Sequence, residues 1–151
     1  MLPALERCGP DAAGRWYDGA VAFGHRRLSI IDLSERSSQP MRDAELSLVF
    51  NGAIYNYGEL RQLLEAKGYA FFSSGDTEVI LKAYHAWGEA CVEKLSGMFA
   101  FALWDRKART LHLARDRMGI KPLYYVHQDP WLLIASTIEC LLAHPAVSRE
   151  L

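Results

Sequence analysis

A cluster of basic side chains stands directly before a short apolar run. His25, Arg26 and Arg27 precede Leu28–Ile31. A guanidinium carries a planar fork of N–H donors that fits a carboxylate through two parallel hydrogen bonds, so Arg27 is the candidate for binding a substrate carboxylate. The alternative interpretation is that these charges lie on an edge strand and discourage aggregation. Taken alone, the segment favours this second interpretation.

An Asn-Gly pair ends the apolar run Leu46–Phe50. The side-chain amide of Asn51 and the backbone N–H of Gly52 could both donate to one oxygen, as in an oxyanion hole, which stabilises charge that develops in a transition state. The same pair is common in hairpin turns. Without further context the turn is the favoured interpretation.

An acidic residue follows a glycine turn in the segment Ser74–Glu78. The carboxylate of Asp76 could bind a substrate ammonium, or it could cap a helix that begins here. Together, Arg27, Asp76 and the Asn51-Gly52 pair outline a site for an α-amino acid with a side-chain carbonyl. Spacing alone supplies no nucleophile, because neither Cys8 nor His25 has an acid–base partner at a telling distance along the chain.

Composition sets the broad class of the protein. The chain has 151 residues, half of them apolar, and 17 basic against 18 acidic residues give a net charge of −1. These values favour one globular domain without a nucleic-acid-binding surface. The apolar runs are too short to cross a bilayer and no signal peptide is evident, so a cytoplasmic location is expected. Three widely spaced cysteines predict reduced thiols and no metal site, with Cys91 and Cys140 in the core.

Apolar periodicity predicts the elements that would position the candidate residues. Residues 1–19 are rich in turn formers and are expected to be irregular or only briefly helical. Helical spacing and glycine stops predict two helices. Alternating or apolar runs predict strands, the last four of which form an antiparallel meander. The predicted helices are Gly58–Lys67 and Thr77–Trp87, and the predicted strands are Ala20–Phe23, Leu28–Ile31, Leu46–Phe50, Tyr69–Ser73, Met98–Trp104, Leu111–Arg115, Leu123–Val126 and Leu132–Ser136.

The order of these elements predicts the fold class. Strands stand before and after two central helices instead of alternating with them, which favours a layered α+β sandwich over a parallel doubly wound sheet. A further helix is expected to begin within Thr137–Ala143. No internal repeat or linker divides the chain.

Five ordered motifs resemble those of class II glutamine amidotransferases, and the likeness is greatest to the asparagine synthetase branch. Within that branch, Phe50–Tyr57 and Asp76–Gly88 look most like bacterial N-acetylglutaminylglutamine amidotransferases. The motifs cover nearly the whole chain and are Gly24–Asp32, Phe50–Asn56, Ser74–Leu81, Gly97–Ala102 and Arg115–Tyr125.

This resemblance implies a four-layer αββα sandwich of the N-terminal-nucleophile hydrolase type. It also implies that an amino-terminal cysteine attacks the amide carbon of L-glutamine, using its own α-amine as base. The matching positions would make Arg27 the carboxylate anchor, Asp76 the ammonium partner, and Asn51 with Gly52 the catalytic oxyanion hole. Ammonia would pass to a separate synthetase domain, which binds ATP and Mg²⁺, so this chain is expected to bind no cofactor or metal.

The sequence also departs from the family pattern. It starts Met1-Leu2-Pro3 where the family has Met-Cys-Gly, Cys8 stands where the family has arginine, and Ala53 replaces a glutamate that helps to hold the ammonium. The expectation is therefore an incomplete type 2 glutamine amidotransferase domain over residues 1–151, which lacks its first strand and is inactive when isolated. Marginal stability, or homo-oligomers formed through an open sheet edge, should follow. The alternative is an inactive module that binds an amino acid or a partner.

Overall fold

The structure is a computed structural model that describes residues 1–3, 5, 9, 12–27 and 35–148. Cys8 and the strand expected at Leu28–Ile31 lie outside these residues. In chain order the described strands and α-helices are β1 (Ala12–Asp18), β2 (Val21–Arg27), β3 (Met41–Arg42), β4 (Leu46–Ile54), α1 (Tyr57–Ala66), α2 (Asp76–Trp87), β5 (Gly97–Asp105), β6 (Thr110–Arg115), β7 (Tyr124–Gln128), β8 (Trp131–Ala135) and α3 (Ile138–Leu142). Residues Glu35–Ser37 and Gly88–Lys94 form 3₁₀ segments, and the described residues Leu2, Pro3 and Leu5 have 3₁₀ structure as well.

The central sheet is antiparallel, with strand order β3-β4-β5-β6. Side chains alternate along β4, so Leu48, Phe50 and Ile54 face one side of the sheet and are buried. The helices α1 and α2 pack against that side, contributing Leu64 and Ile80 among others to one apolar core. Burial of this face holds the helices on the sheet, since each fully buried aliphatic side chain contributes about 1.5–3 kcal/mol.

Two antiparallel ribbons, β1–β2 and β7–β8, lie over the other side of the central sheet. In the first ribbon the rings of Trp16 and Phe23, which are opposite each other in the register, lie 5.8 Å apart. The helix α3 packs on the second ribbon. Helices therefore flank strands on both sides, and the chain is α+β, as the order of elements predicts. None of the described helices is long and apolar enough to span a membrane.

The expectation of an irregular opening is wrong for part of residues 1–19. Residues 12–18 form β1, because the chain reverses at the Asp18-Gly19 pair in a hairpin turn that pairs β1 with β2. Gly19 has a φ of 56°, which glycine adopts without strain. The basic segment His25-Arg26-Arg27 forms the end of β2.

Three other sequence-based expectations need correction. Tyr69–Ser73 is not a strand, because its backbone amides at Phe72 and Ser73 bind the Glu78 carboxylate instead of a neighbouring strand. The meander is interrupted, because the chain leaves the sheet after β6 and β7–β8 forms a separate ribbon. Asn51-Gly52 is not a hairpin turn, since β4 continues through it to Ile54. The expected last helix is present as α3, with the Thr137 hydroxyl accepting a hydrogen bond from the Cys140 N–H at 3.3 Å.

Candidate functional site

A cavity of about 760 Å³ lies between the central sheet and the two ribbons. Its walls are mainly apolar, with Trp16, Phe23 and Ile134 among the lining residues. Polar groups in the lining include Asn51, His25, and Arg15 and Arg26 from the first ribbon. A concave apolar space with a few polar groups is typical of a site for a small molecule.

Asn51 faces this cavity because of the alternation along β4. Its neighbours Phe50 and Gly52 belong to the side of the strand that faces the helices, whereas Asn51 belongs to the cavity side and is exposed there. The residue opposite it on β5 is Ala100. An alanine leaves room beside the amide, so the Asn51 side chain can donate a hydrogen bond into the cavity.

Gly52 has a backbone conformation that requires glycine. Its φ is 149°, a region that other residues rarely adopt. A Cβ at this position would lie 2.1 Å from the Met98 carbonyl oxygen and 2.7 Å from the Phe99 Cα. The close approach of β5 therefore excludes any side chain here, and this steric reason holds whatever the backbone N–H of Gly52 binds.

Asp76 is buried beside the end of β4. Its carboxylate oxygen Oδ2 accepts a hydrogen bond from the Ile54 N–H at 2.9 Å, and only 5% of the residue is exposed. Burial raises the pKa of the Asp76 carboxyl, and the backbone amides of Ile54, Asp76 and Thr77 partly oppose this shift. The helix-capping interpretation is wrong, because the N-cap residue of α2 is Gly75 and Asp76 is the first helical residue.

Arg27 is the last residue of β2, where its backbone is opposite Ala12. Its side chain lies outside the described part of the structure. The strand that carries it does reach β4, because the His25 ring nitrogen Nε2 lies 3.2 Å from the Phe50 carbonyl oxygen.

The candidate residues are thus brought together only in part. Asn51 and Gly52 are adjacent, and Asp76 binds the strand two residues beyond Gly52. Asn51 lines the cavity, whereas Gly52 and Asp76 are not among the described residues that do so. Whether these groups and Arg27 bind one ligand stays a prediction.

Glu78 is a buried acid that sequence reasoning missed. It is fully buried, and its carboxylate accepts hydrogen bonds from the backbone amides of Phe72 and Ser73 and, at 2.7 Å, from the Ser73 hydroxyl. Its nearest cation is Lys82, at 3.9 Å. These bonds hold the segment that leads into Asp76. The only signal in the sequence is an acid at the third position of a helix, which is usually solvent-exposed.

Asp116 is a second buried acid that was missed as a functional position. Its carboxylate accepts hydrogen bonds from the backbone amides of Phe99 at 3.1 Å, Ile120 at 2.9 Å and Lys121 at 3.0 Å. The pKa of Asp116 is lowered, chiefly by the hydrogen bond from the Lys121 amide, while burial opposes this shift. The amides of Ile120, Phe99 and Met118 lower the pKa further. Because Phe99 is opposite Gly52 in the register, Asp116 braces β5 beside the candidate oxyanion hole.

Neither of the cysteines that the structure describes is a candidate nucleophile. Cys91 and Cys140 are both buried, as the sequence predicts. Burial raises the pKa of the Cys91 thiol to about 11, so almost none of it is thiolate at neutral pH. Within the described ranges, no group of three or more His, Cys, Asp or Glu side chains could hold a metal ion.

Sequence comparison identifies the family. The glutamine amidotransferase domain family matches residues 1–151 in full, and the chain belongs to this family. It is 41% identical to asparagine synthetase [glutamine-hydrolyzing] 3 of Bacillus subtilis over 99% of its length and 48% identical to asparagine synthetase [glutamine-hydrolyzing] 1 of the same organism over 89%. The chain spans only 25% and 21% of these two relatives.

Solved structures support the same assignment. The glutamine phosphoribosylpyrophosphate amidotransferase of B. subtilis, complexed with ADP and GMP, superposes with a TM-score of 0.64 and is 27% identical in sequence. The match covers 76% of this chain and 27% of that protein. The fold is α+β and of the N-terminal-nucleophile hydrolase type, so the fold class expected from the motifs is confirmed.

Proposed function

We propose that this chain is the glutamine-binding, ammonia-supplying domain of an asparagine synthetase-like amidotransferase. The observation that carries the proposal is the placement of Asn51 on the cavity wall beside Gly52, whose backbone conformation excludes a side chain. An amide donor next to an unobstructed backbone N–H suits the oxygen of a carboxamide that becomes tetrahedral during hydrolysis.

The proposed ligand is L-glutamine. Its side-chain carbonyl would lie at Asn51 and Gly52, its ammonium near Asp76, and its carboxylate at Arg27. A buried carboxylate suits an ammonium partner, because an ion pair is stronger where water is excluded. An incoming cation would also stabilise the charged form of Asp76, which burial disfavours.

In this proposal the described residues bind L-glutamine and orient it, and they supply no nucleophile. Hydrolysis in the family proceeds through an amino-terminal cysteine, whereas both described cysteines lie within the chain and are buried. Ammonia would then serve a separate synthetase domain with ATP and Mg²⁺. The short span of the chain within its relatives fits such a division of labour. The nearer likeness to N-acetylglutaminylglutamine amidotransferases stays a prediction.

The test is calorimetric titration of the full chain with L-glutamine, D-glutamine and L-glutamate, together with an assay for ammonia release. We expect L-glutamine to bind and Asn51→Ala to weaken that binding about threefold to tenfold, the effect of one lost hydrogen bond. Gln62→Ala, on the exposed side of α1, is the matched control and should change nothing. Failure of L-glutamine to bind would overturn the proposal, and binding without ammonia release would favour the inactive amino-acid-binding module.

A further inference from the structure

The residue before Asn51 is held in an unusual way on the outer edge of β4. The neighbouring strand β3 is only two residues long and pairs with Leu48 and Ser47. At Phe50, two side chains bind the backbone N–H and carbonyl groups that a neighbouring strand would otherwise bind. The Gln39 oxygen Oε1 accepts the Phe50 N–H at 2.6 Å, and the His25 nitrogen Nε2 lies 3.2 Å from the Phe50 carbonyl oxygen.

The chemistry of these contacts fixes which atoms donate. A backbone carbonyl only accepts, so His25 carries its hydrogen on Nε2. A backbone N–H only donates, so the Gln39 amide presents its oxygen to Phe50. Both backbone groups of one residue are therefore bound by side chains from two different segments of the chain. The Phe50 carbonyl belongs to the peptide plane that continues into the nitrogen of Asn51.

Close packing of the first ribbon on the backbone of Gln39 brings the two partners of Phe50 together. Gly14 is opposite His25 in the first ribbon. A Cβ on Gly14 would lie 1.8 Å from the Gln39 carbonyl oxygen, so the ribbon passes directly over the backbone of Gln39. Gly14, His25 and Gln39 thus form one contact point between the ribbon and β4. A shift of the ribbon would move both partners of Phe50.

We propose that Gln39 and His25 are positioning residues for Asn51. They fix the peptide between Phe50 and Asn51, and so hold the Asn51 amide in the orientation that meets the side-chain carbonyl of the ligand. A donor that is held in place before the ligand arrives contributes more to recognition, because less conformational freedom is lost on binding. The inference rests on the proposed glutamine site, and it adds two residues that act through the backbone without touching the ligand.

The test compares two ligands that differ only where Asn51 would act. L-Glutamine carries a side-chain carboxamide and L-norvaline lacks it, while both present the same carboxylate and ammonium. We expect Gln39→Met to lower the affinity for L-glutamine about threefold to tenfold and to leave the affinity for L-norvaline unchanged. Gln39→Glu keeps an acceptor for the Phe50 N–H and should restore most of the affinity for L-glutamine. His25→Phe should behave like Gln39→Met.

Matched controls are Gln62→Met on α1 and His127→Phe on β7, both exposed positions, and neither should change the binding of either ligand. Equal loss of both ligands in Gln39→Met and His25→Phe would show a general disturbance of the pocket and overturn the positioning role. Unchanged L-glutamine affinity in both variants would overturn it as well. Should the unaltered chain bind L-norvaline as tightly as L-glutamine, Asn51 recognises no carboxamide and the proposed function itself fails.

Discussion

The carboxylate of Asp76 and the backbone N–H of Ile54 are joined by a buried hydrogen bond of 2.9 Å. This bond links the first turn of α2 to the end of β4, two residues beyond Gly52. The start of the helix and the candidate oxyanion hole are therefore held in one rigid unit. The same carboxylate is the proposed partner of a ligand ammonium, so its structural and binding roles can be separated by substitution.

Asp76→Asn should preserve the fold and weaken ligand binding. The amide oxygen still accepts the Ile54 N–H, but the variant carries no charge for an ammonium. Because burial raises the pKa of Asp76, the ionised form is disfavoured in the folded chain. We therefore expect an equal or higher melting temperature at pH 7 and at least a tenfold loss of L-glutamine affinity, about 1.4 kcal/mol.

The pH dependence gives a second check on Asp76. A carboxyl whose pKa is raised by folding contributes stability that is fully present below its unfolded pKa and is lost as pH rises through the folded pKa. The difference in melting temperature between Asp76→Asn and the unaltered chain should therefore grow as pH rises from about 4 to 7. A variant whose melting temperature instead falls further below that of the unaltered chain as pH rises would show that the charge itself stabilises the fold.

Gly52→Ala should destabilise the chain strongly. The new Cβ would lie 2.1 Å from the Met98 carbonyl oxygen, and a φ of 149° is strained for alanine. We expect a loss of about 1–3 kcal/mol or more in the free energy of unfolding, measured by urea denaturation. Gly58→Ala is the control, since nothing lies within 4 Å of its Cβ position and it stands in α1. That change should be neutral or stabilise by up to about 1 kcal/mol.

Glu78→Ala should also destabilise, because it leaves the buried amide of Ser73 and the partly buried amide of Phe72 without their acceptor. We expect a loss of about 2–4 kcal/mol in unfolding free energy, whereas Glu78→Gln, which keeps one acceptor oxygen, should lose less. Glu59→Ala, at an exposed site in α1, should stay within about 0.5 kcal/mol of the unaltered chain. Equal stability of Glu78→Ala and Glu59→Ala would contradict the anchoring role of Glu78.

The hydrogen bonds of Asp116 predict that the stability of the chain beside β5 is lost in acid. Its pKa is lowered by backbone hydrogen bonds, so the stability it contributes is present above the unfolded pKa and is lost as pH falls through the folded pKa. Asp116→Asn should therefore flatten the decline in melting temperature below about pH 4. The pKa of Asp43 is also lowered, because its hydrogen bonds to Leu46, Glu45 and His85 outweigh the opposing effect of burial. Asp43 should therefore cause part of the decline in melting temperature, and that part should remain in Asp116→Asn. An unchanged melting profile would rule out this role of Asp116.

Local sequence determined the helices and the family. In α1, Leu60, Leu63 and Leu64 recur at helical spacing with Gly68 after them. Leu60 and Leu64 are buried, whereas Leu63 is 54% exposed. The motifs around Asn51, Asp76 and Gly97–Ala102 were sufficient to predict the α+β fold of the N-terminal-nucleophile hydrolase type. Such features depend on residues that are close together along the chain, so the amino-acid sequence alone is enough to recognise them.

Only the tertiary structure decided how the site is built. An Asn-Gly pair is a turn or a strand according to what lies beside it, and here β5 pairs with β4 through Gly52. The burial of Asp76 depends on a partner 22 residues away, and the hold on Phe50 depends on His25, 25 residues away. Sequence periodicity reports which face of an element is apolar, but it does not report which distant backbone group a polar side chain will bind. That choice follows from the packing of the whole chain, because a buried donor or acceptor must find whichever partner the fold brings within reach.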